Sequence, residues 1–430
     1  MKYEQALFKK IKVSCLLASI CTMACAAPEM SVTRFAASPK IDGELNDPCW
    51  RQASACHIKA AELTRVMVGY DDNHLYIAFD CRNSGTNAIA GKICHRDGDI
   101  FSKEDSVEIF LNPRPGKTEY YQLAVNCKGS KFDGVRRGKG TAFSSSWNED
   151  WDAAAKIGPT GYVVEIGIPF RILRMGTNTT WRANFCRNTA YNDEHNAWSQ
   201  TKEFHQPEKF GLLKGINAPI YQSILLEKLE FAGKPVIGRN YLDLELQNAG
   251  TEARKLQAKL VIPDKYDRKF QAQKPDMDIG ATVFEVAPGT AKTTNVPFAV
   301  KSKGKMEYCF LIYDGNRLIY IETFNRNVDS EFAFKLQGKL LYEKETAVIR
   351  YESRLSPDLL DRVELKIVVS QNGKQVQEKK YGGRELQENA ICPGDTASLP
   401  AGRYDISATL ISDGKPMVEW NDTFMIIRKY

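Results

Sequence analysis

The chain has 430 residues, of which 43% are hydrophobic and 26% are charged. This composition excludes a disordered protein, and the length predicts two or three folded domains. The net charge is +6, but residues 1–26 carry four lysines and one glutamate, so the rest of the chain keeps only +3. That small excess excludes a nucleic-acid partner held by a broad basic surface.

The first 26 residues have the pattern of an export signal. Four lysines precede or open an apolar stretch at residues 13–24 that is too short to span a bilayer comfortably. Ala24-Cys25-Ala26 then supplies small residues for cleavage before Ala27. Residues 1–26 are therefore predicted to be a signal peptide, and the mature protein to be secreted or periplasmic with no transmembrane segment. Lipid attachment at Cys25 is an alternative.

Strand patterns follow one another in the next part of the chain. Residues 66–70 and 75–81 flank a turn-forming tetrad and predict a hairpin. Further strands are predicted at residues 107–111, 120–127, 162–168 and 181–187. Regularly spaced strands with Gly, Asn and Pro between them favour a β-sandwich over alternating strands and helices. This first domain is predicted to span residues 27–214.

Two more series of strands follow a linker at residues 215–219. The series at 220–324 contains an alternating strand that runs into an Asn-Ala-Gly turn. The series at 325–430 ends in a strand, the turn Asp413-Gly414-Lys415 and a last strand. Each has the size of an immunoglobulin-like sandwich module. The predicted fold class is therefore all-β, with three consecutive β-sandwich domains.

Eight cysteines lie beyond residue 26, six of them in the first domain. Export makes disulfides chemically possible, but the sequence leaves their pairing open. Cys81 and Cys127 fall inside strand patterns, which predicts small buried apolar side chains. The spacing of cysteines and histidines offers no zinc site.

Five phrases of the first domain occur in a characteristic order. They are Ile41-Asp42-Gly43 through Trp50, Asp105 to Leu111, Tyr121 to Asn126, Glu165 to Phe170, and Phe204 to Gly211. This ordered set, over about residues 32 to 214, resembles family 9 carbohydrate-binding modules. The resemblance implies a β-sandwich that binds an oligo- or polysaccharide without catalysis and supports its breakdown by other enzymes.

The resemblance also implies a type of site. In sugar-binding members, aromatic rings stack on a sugar ring while carboxylate and amide groups bind its hydroxyls. Glu108 matches the carboxylate, and Gln122 and Asn126 lie on the same side of one strand. Trp147 and Trp151 are alternative aromatic platforms.

The sequence departs from the family pattern at three positions. Ser102, next to Phe101, and Phe204 stand where the family has tryptophans. Ala124 stands where it has an arginine. Arg187 and Trp198 are candidates to replace the missing groups. The predicted ligand-binding residues are therefore Glu108, Gln122, Asn126, Phe101, Arg187, Trp198 and Phe204.

One loop of the first domain is rich in carboxylates. Oxygen ligands of this kind suit calcium, although the spacing is not that of an EF-hand. A structural calcium ion is the one cofactor predicted, with the ligands Asp97, Asp99, Glu104 and Asp105.

No catalytic residues are predicted. The sequence identifies no opposed carboxylate pair for glycoside hydrolysis, and it contains neither a nucleophile elbow nor a phosphate loop. An association with hydrolysis of glycosidic bonds is therefore expected only as an accessory part of a glycoside hydrolase. Two other classes stay open: a structural or adhesion protein of the cell surface, and a haem- or redox-type sandwich with Met, His or Lys ligands inside it.

Overall fold

A computed structural model describes residues 27–58, 63–83, 88–138, 142–199, 203–262, 278–300, 303–328, 332–387 and 389–428. The predicted signal peptide lies outside these residues. The described chain consists mainly of strands and the turns and loops between them, which confirms the all-β prediction. Its helices are single short turns: α1 (Pro48–Gln52), α2 (Pro219–Gln222), α3 (Pro357–Leu360), and 3₁₀ turns at Phe170–Ile172, Pro207–Lys209, Gly383–Gln387 and Thr396–Ser398. None of the described helices is long and apolar enough to cross a bilayer.

The first sandwich consists of two facing sheets. One sheet has the strand order β1-β13-β11-β6-β7-β8, with β12 paired to β11, and the other has the order β2-β4-β5-β10-β9, with β3 paired to β4. The strands are β1 (Glu29–Ser31), β2 (Thr33–Arg34), β3 (Ser54–Ile58), β4 (Thr64–Tyr70), β5 (His74–Arg82), β6 (Ser106–Asn112), β7 (Tyr120–Asn126), β8 (Lys131–Arg136), β9 (Asp152–Gly158), β10 (Gly161–Pro169), β11 (Thr180–Thr189), β12 (Glu194–Ala197) and β13 (Gly211–Lys214). Strands β4 and β5 form the predicted hairpin.

Alternation along β6 decides which side chains enter the core. Val107, Ile109 and Leu111 belong to the apolar core between the two sheets. Glu108 and Phe110 alternate with them, and successive strand residues point to opposite faces. The outer face of the β6–β7 region therefore carries the polar and aromatic side chains of the candidate site.

A buried carboxylate joins two of the sequence phrases across the second sheet. Oε2 of Glu165 accepts hydrogen bonds from the backbone N–H groups of Gly43, at 2.8 Å, and of Asp42 and Glu44, at 3.0 and 3.2 Å. Its Oε1 accepts the indole N–H of Trp50 at 2.7 Å. The opening loop is therefore held on β10 by one side chain.

Two further pairs of sheets follow. In the second sandwich the sheets are β14-β15-β18 and β17-β16-β19-β20, and in the third they are β21-β23-β26 and β22-β28-β27-β24-β25. Their strands are β14 (Ile224–Phe231), β15 (Gly238–Asn248), β16 (Arg254–Val261), β17 (Asp278–Val286), β18 (Ala291–Val300), β19 (Gly304–Asp314), β20 (Arg317–Val328), β21 (Phe332–Gln337), β22 (Leu340–Tyr342), β23 (Val348–Ser353), β24 (Val363–Gln371), β25 (Lys374–Gly382), β26 (Ala390–Ile391), β27 (Gly402–Ser412) and β28 (Lys415–Ile427). Most core residues of the second and third sandwiches form one contiguous apolar cluster.

The first and second sandwiches meet through largely buried polar groups, which form ion pairs and hydrogen bonds. Glu322 on β20 forms ion pairs of 2.9 Å with both Arg137 and Arg174 of the first sandwich. Oε1 of Glu149 accepts hydrogen bonds from the backbone N–H and the hydroxyl of Thr323, at 2.5 and 2.9 Å. These contacts fix the relative position of the two sandwiches.

The eight cysteines beyond residue 26 are all free thiols in the structure. Cys81 and Cys127 are buried, which confirms the prediction made from their strand positions.

Candidate functional site

The outer face of the β8–β7–β6–β11 sheet carries a cleft of about 660 Å³. Its walls and floor come from these four strands, from β12 and from the loops before β6, after β8 and before β13. The lining residues are Phe101, Glu108, Tyr120, Gln122, Phe132, Arg136, Phe143, Asn188, His195, Phe204 and His205.

Small residues lie beneath the centre of the cleft. Ala124 on β7 is paired with Glu108 on β6, which is paired in turn with Cys186 on β11. Gly134 on β8 pairs with Gln122, and the ring of Phe143 lies so close that a Cβ on Gly134 would be 2.3 Å from it. The short side chains therefore leave depth in the cleft, and the glycine lets Phe143 fold over β8 to form a wall.

A chain of hydrogen bonds runs across the cleft from Glu108. Its Oε2 accepts from Nε2 of Gln122 at 2.6 Å, and its Oε1 accepts from Nδ2 of Asn188 at 2.7 Å. Oδ1 of Asn188 in turn accepts from Nδ1 of His195 at 2.6 Å. Because an amide oxygen only accepts, this bond places a proton on Nδ1 of His195 and leaves Nε2 as the second polar atom of the ring.

Glu108 is the buried centre of this chain, with only 4% of its surface exposed. Burial raises the pKa of its carboxyl, and the amides of Asn188 and Gln122 act in the opposite direction. Both of its oxygens are engaged by side-chain amides. The carboxylate therefore orients the two amides more than it offers itself to a ligand.

Half-buried aromatic rings form the walls. Phe101 and Phe132 contact edge to face with centroids 4.9 Å apart, and Phe132 and Phe143 are nearly parallel at 6.4 Å. Across the cleft, Phe204 contacts Phe110 at a centroid distance of 6.1 Å. Such rings offer flat apolar surfaces beside the polar chain at the centre.

A second polar group lies at the end of the cleft near the start of β7. The hydroxyl of Tyr120 is 2.8 Å from Nδ1 of His205, and Arg136 is paired with Tyr120 in the sheet. Burial raises the pKa of Tyr120, and the positive charge of Arg136 opposes that rise. Burial and the same charge lower the pKa of His205, so His205 is neutral at neutral pH.

Four of the seven residues predicted to bind ligand line this cleft. Glu108 and Gln122 meet at its centre, Phe101 lies in one wall and Phe204 in the opposite one. Their role in binding stays a prediction, but the structure brings them to one surface.

The other three predicted residues lie elsewhere. Asn126 is fully buried and donates to Glu104 and to the carbonyl of Ile93, each at 2.9 Å. Arg187 is 1% exposed and its Nη1 donates to the Thr64 hydroxyl of the opposite sheet at 2.9 Å. It alternates with Asn188 on β11, so it faces the sandwich interior. Trp198 packs against Phe185.

The alternative prediction, an aromatic platform at Trp147 or Trp151, is wrong. Both are buried, at 3% and 1% exposure, and both belong to the apolar core. Trp151 contacts Lys131, whose Nζ lies 4.8 Å from the ring centroid. These tryptophans therefore stabilise the sandwich and cannot stack on a ligand.

The four carboxylates of the predicted calcium site are engaged with separate protein donors. Glu104 accepts from the N–H of Lys92 at 2.8 Å, and Asp105 accepts from that of Ala90 at 2.8 Å. Asp99 caps the N–H groups of two following residues, and Asp97 accepts from Asn148. Among the described residues, no three His, Cys, Asp or Glu side chains are placed to hold a metal together. Calcium binding stays a prediction.

Several lining residues were missed in the sequence. Asn188, His195, Arg136 and Tyr120 come to the cleft through strand pairing, so their neighbours in space are distant in sequence. Strand alternation places Asn188 on the face opposite to Arg187, but it does not say which of the two faces the cleft. Phe143 gave no local signal, since its position depends on the close approach to Gly134.

With this geometry established, comparison with known proteins identifies the class of the first sandwich. Residues 41–215 match the family described as "Carbohydrate family 9 binding domain-like". The chain therefore contains a domain of this family, which confirms the resemblance read from the sequence.

Individual relatives cover only parts of the chain. Endo-1,4-beta-xylanase A of Thermotoga maritima is 26% identical over 204 residues, covering 43% of this chain and 18% of the relative. Exoglucanase XynX of Acetivibrio thermocellus is 25% identical over 160 residues, covering 35% of this chain and 13% of the relative. A family 9 carbohydrate-binding module from Caldicellulosiruptor kristjanssonii in complex with cellotriose has 21% identity and a TM-score of 0.33, covering 43% of this chain and 92% of that structure.

Proposed function

We propose that the chain is an exported, non-catalytic carbohydrate-binding protein that supports polysaccharide breakdown, and that the cleft on the first sandwich is its sugar site. The observation that carries this proposal is the amide–carboxylate chain of Gln122, Glu108 and Asn188 between aromatic walls. Amides and imidazoles suit sugar hydroxyls, and aromatic rings suit the C–H faces of a pyranose. The family match and the similarity to segments of a xylanase and an exoglucanase support the same conclusion.

Binding suits this cleft better than hydrolysis. Glu108 is the one carboxylate among the described residues that line it, whereas glycosidases use two opposed carboxyl groups. Its two oxygens are also held by amides, so it is not placed to attack or protonate a glycosidic bond. An activity in polysaccharide breakdown would therefore come from an associated enzyme.

The two other classes have less support in this geometry. An adhesion surface is expected to be an apolar groove without a polar cluster at Glu108, but here the polar cluster occupies the centre of the cleft. A haem site would need ligands between the two sheets. His195 and His205 instead line the cleft on the outer face.

The test is a glycan array followed by calorimetry with residues 27–430. Phe204→Ala removes a wall of the cleft, and Tyr241→Ala removes an exposed aromatic of the second sandwich as a matched control. We expect the unmodified chain and the Tyr241 variant to bind the same glycan, and the Phe204 variant to bind at least about tenfold more weakly, from the loss of one stacking surface. A folded protein that binds no glycan would refute the proposal.

A further inference from the structure

We infer that the cleft selects a saccharide that carries a carboxylate, a uronic acid residue, with Arg136 as the group that recognises it. This inference rests on the proposed function. It names the chemical class of sugar that the same cleft takes.

The charges of the lining side chains decide which ligands the cleft attracts. Glu108 is almost completely buried and has both oxygens bound to amides, so its negative charge lies beneath the surface that a ligand would contact. His205 is neutral at neutral pH, as described above. Among the described residues, Arg136 is the lining side chain with a permanent positive charge.

Two carboxylates lie just outside the lining of the cleft. Asp193 has an oxygen 3.7 Å from Nε2 of His195, and its side chain is 85% exposed. Glu203 is also exposed and acts on His205. Solvent and salt screen such exposed charges strongly, so they do not cancel the attraction of a half-buried guanidinium for an anion.

Arg136 reaches the cleft from a different strand than the residues of the amide chain. Ala124 lies four residues after Tyr120 on the same face of β7 and places no long side chain in the floor of the cleft. Arg136 enters from the adjacent strand β8, opposite Tyr120, about 13 Å along the sheet from the level of Ala124. Gln122, the nearest member of the amide chain, lies two residues from the level of Arg136, about 7 Å along the sheet, so the amides and the cation reach the cleft at neighbouring levels.

This arrangement suits a sugar acid. The ring and hydroxyls of a saccharide would lie against the walls and the amide chain, while a carboxylate on the ring would meet the planar guanidinium. Arginine and carboxylate form paired, charge-assisted hydrogen bonds that a neutral hydroxymethyl group cannot form.

The experiment compares matched acid and neutral sugars by calorimetry, using residues 27–430. The pairs are glucuronic acid with glucose and galacturonic acid with galactose, each at low and at high sodium chloride. We expect at least one acid to bind about tenfold or more tightly than its neutral partner, with an advantage that shrinks as salt rises.

Variants assign that preference to Arg136. Arg136→Gln should lower the affinity for the acid to that for its neutral partner. Arg136→Lys should keep part of the preference, because it keeps the charge and loses the planar fork. Lys128→Gln removes a positive charge from an exposed loop position outside the cleft and should leave the preference unchanged.

The outcomes separate this inference from the proposed function. Equal affinity for acid and neutral sugars, or a preference that survives Arg136→Gln, would overturn the inference and leave the carbohydrate-binding proposal standing. Failure of the folded chain to bind any saccharide would overturn both.

Discussion

At the scale of single residues, Glu108 decides how the cleft presents its polar atoms. It accepts one hydrogen bond from Gln122 and one from Asn188, and these bonds turn both amides in a fixed direction. A buried carboxylate with two amide donors has no equivalent in a neutral amide, because an amide must present one N–H group to one of those donors. The site therefore depends on a carboxylate that need not touch the ligand.

Glu108→Gln is predicted to weaken glycan binding by about tenfold or more and to lower the free energy of unfolding by about 1–3 kcal/mol, because it sets two N–H groups against each other in a buried place. Calorimetry with a glycan found on the array and urea unfolding measure the two effects. Glu208→Gln, at an exposed position, is the matched control.

Acidification should weaken glycan binding in the same way as Glu108→Gln. Because burial raises the pKa of Glu108, its proton returns at a higher pH than for an ordinary glutamate, and a protonated carboxyl no longer accepts from both amides. Affinity that stays constant in Glu108→Gln and on acidification would show that the carboxylate does not orient the amides.

The sequence predicted the residues of the site where a single strand carried the information. Alternation along β6 and β7 placed Glu108 and Gln122 on one face, as the structure shows. It could not choose between Arg187 and Asn188, because a shift of one residue in register exchanges the two faces of a strand. Arg136 was missed for a related reason, because neither β7 nor β8 alone indicates which residues of the other strand it pairs with.

At the scale of secondary structure elements, the Glu165 carboxylate explains why two separated phrases of the sequence belong together. The loop 41–44 and the indole of Trp50 both depend on Glu165 of β10 for their hydrogen bonds. A family phrase that looked like a marker in the sequence is therefore a structural clamp. The sequence contains these phrases in their order, but it does not show this contact between residues more than one hundred positions apart.

Glu165→Gln is predicted to reduce the free energy of unfolding by about 1–3 kcal/mol. Its oxygen can accept from the loop or from Trp50, but its NH₂ group must then face the other donor. Trp50→Phe removes the indole donor, so the double variant should lose less stability than the sum of the two single variants. Urea unfolding of all four proteins tests this coupling, and strictly additive losses would contradict it.

At the scale of the whole molecule, the sandwiches are joined by packed and charged contacts. Val261, Leu311 and Ile321 of the second sandwich belong to the same apolar cluster as the core of the first. Arg137 and Arg174 reach Glu322 across the junction. The sequence predicted three sandwiches in a row, but it gave no sign of this junction, because each charged residue there resembles an ordinary surface residue until its partner is known.

Glu322→Gln is predicted to destabilise the protein by up to about 3–5 kcal/mol at neutral pH, because it leaves Glu119 as the carboxylate paired with two largely buried arginines. Burial opposes ionisation of Glu322, but Arg137 and Arg174 outweigh it and lower its pKa to about 2. A lowered carboxyl pKa adds stability above the unfolded pKa of about 4.3, and this stability is lost as the pH falls toward 2.

The advantage of the unmodified protein over Glu322→Gln should therefore be full at pH 7 and shrink in acid. Urea unfolding at several pH values measures it, with the exposed Glu285→Gln of the same sandwich as control. A difference between the two proteins that does not change with pH would exclude the ionised pair as its source.

Glu149 at the same junction is predicted to behave in the opposite way. Burial raises its pKa well above the ordinary value, against the two hydrogen bonds from Thr323. For a carboxyl with a raised pKa, the folded protein holds a proton that the unfolded chain has already lost, so stability falls as the pH rises above the unfolded pKa. Glutamine keeps an oxygen acceptor for Thr323 and imitates the protonated acid.

Glu149→Gln should therefore change stability little in mild acid and increase it at neutral and alkaline pH, whereas Glu149→Ala should destabilise the protein at every pH by removing the acceptor. The two junction carboxylates then give pH profiles of opposite sign, and unfolding curves of both glutamine variants in one pH series distinguish them. If Glu149→Gln lost stability as the pH rose relative to the unmodified chain, Glu149 would be ionised in the folded protein despite the nearby charge of Glu322.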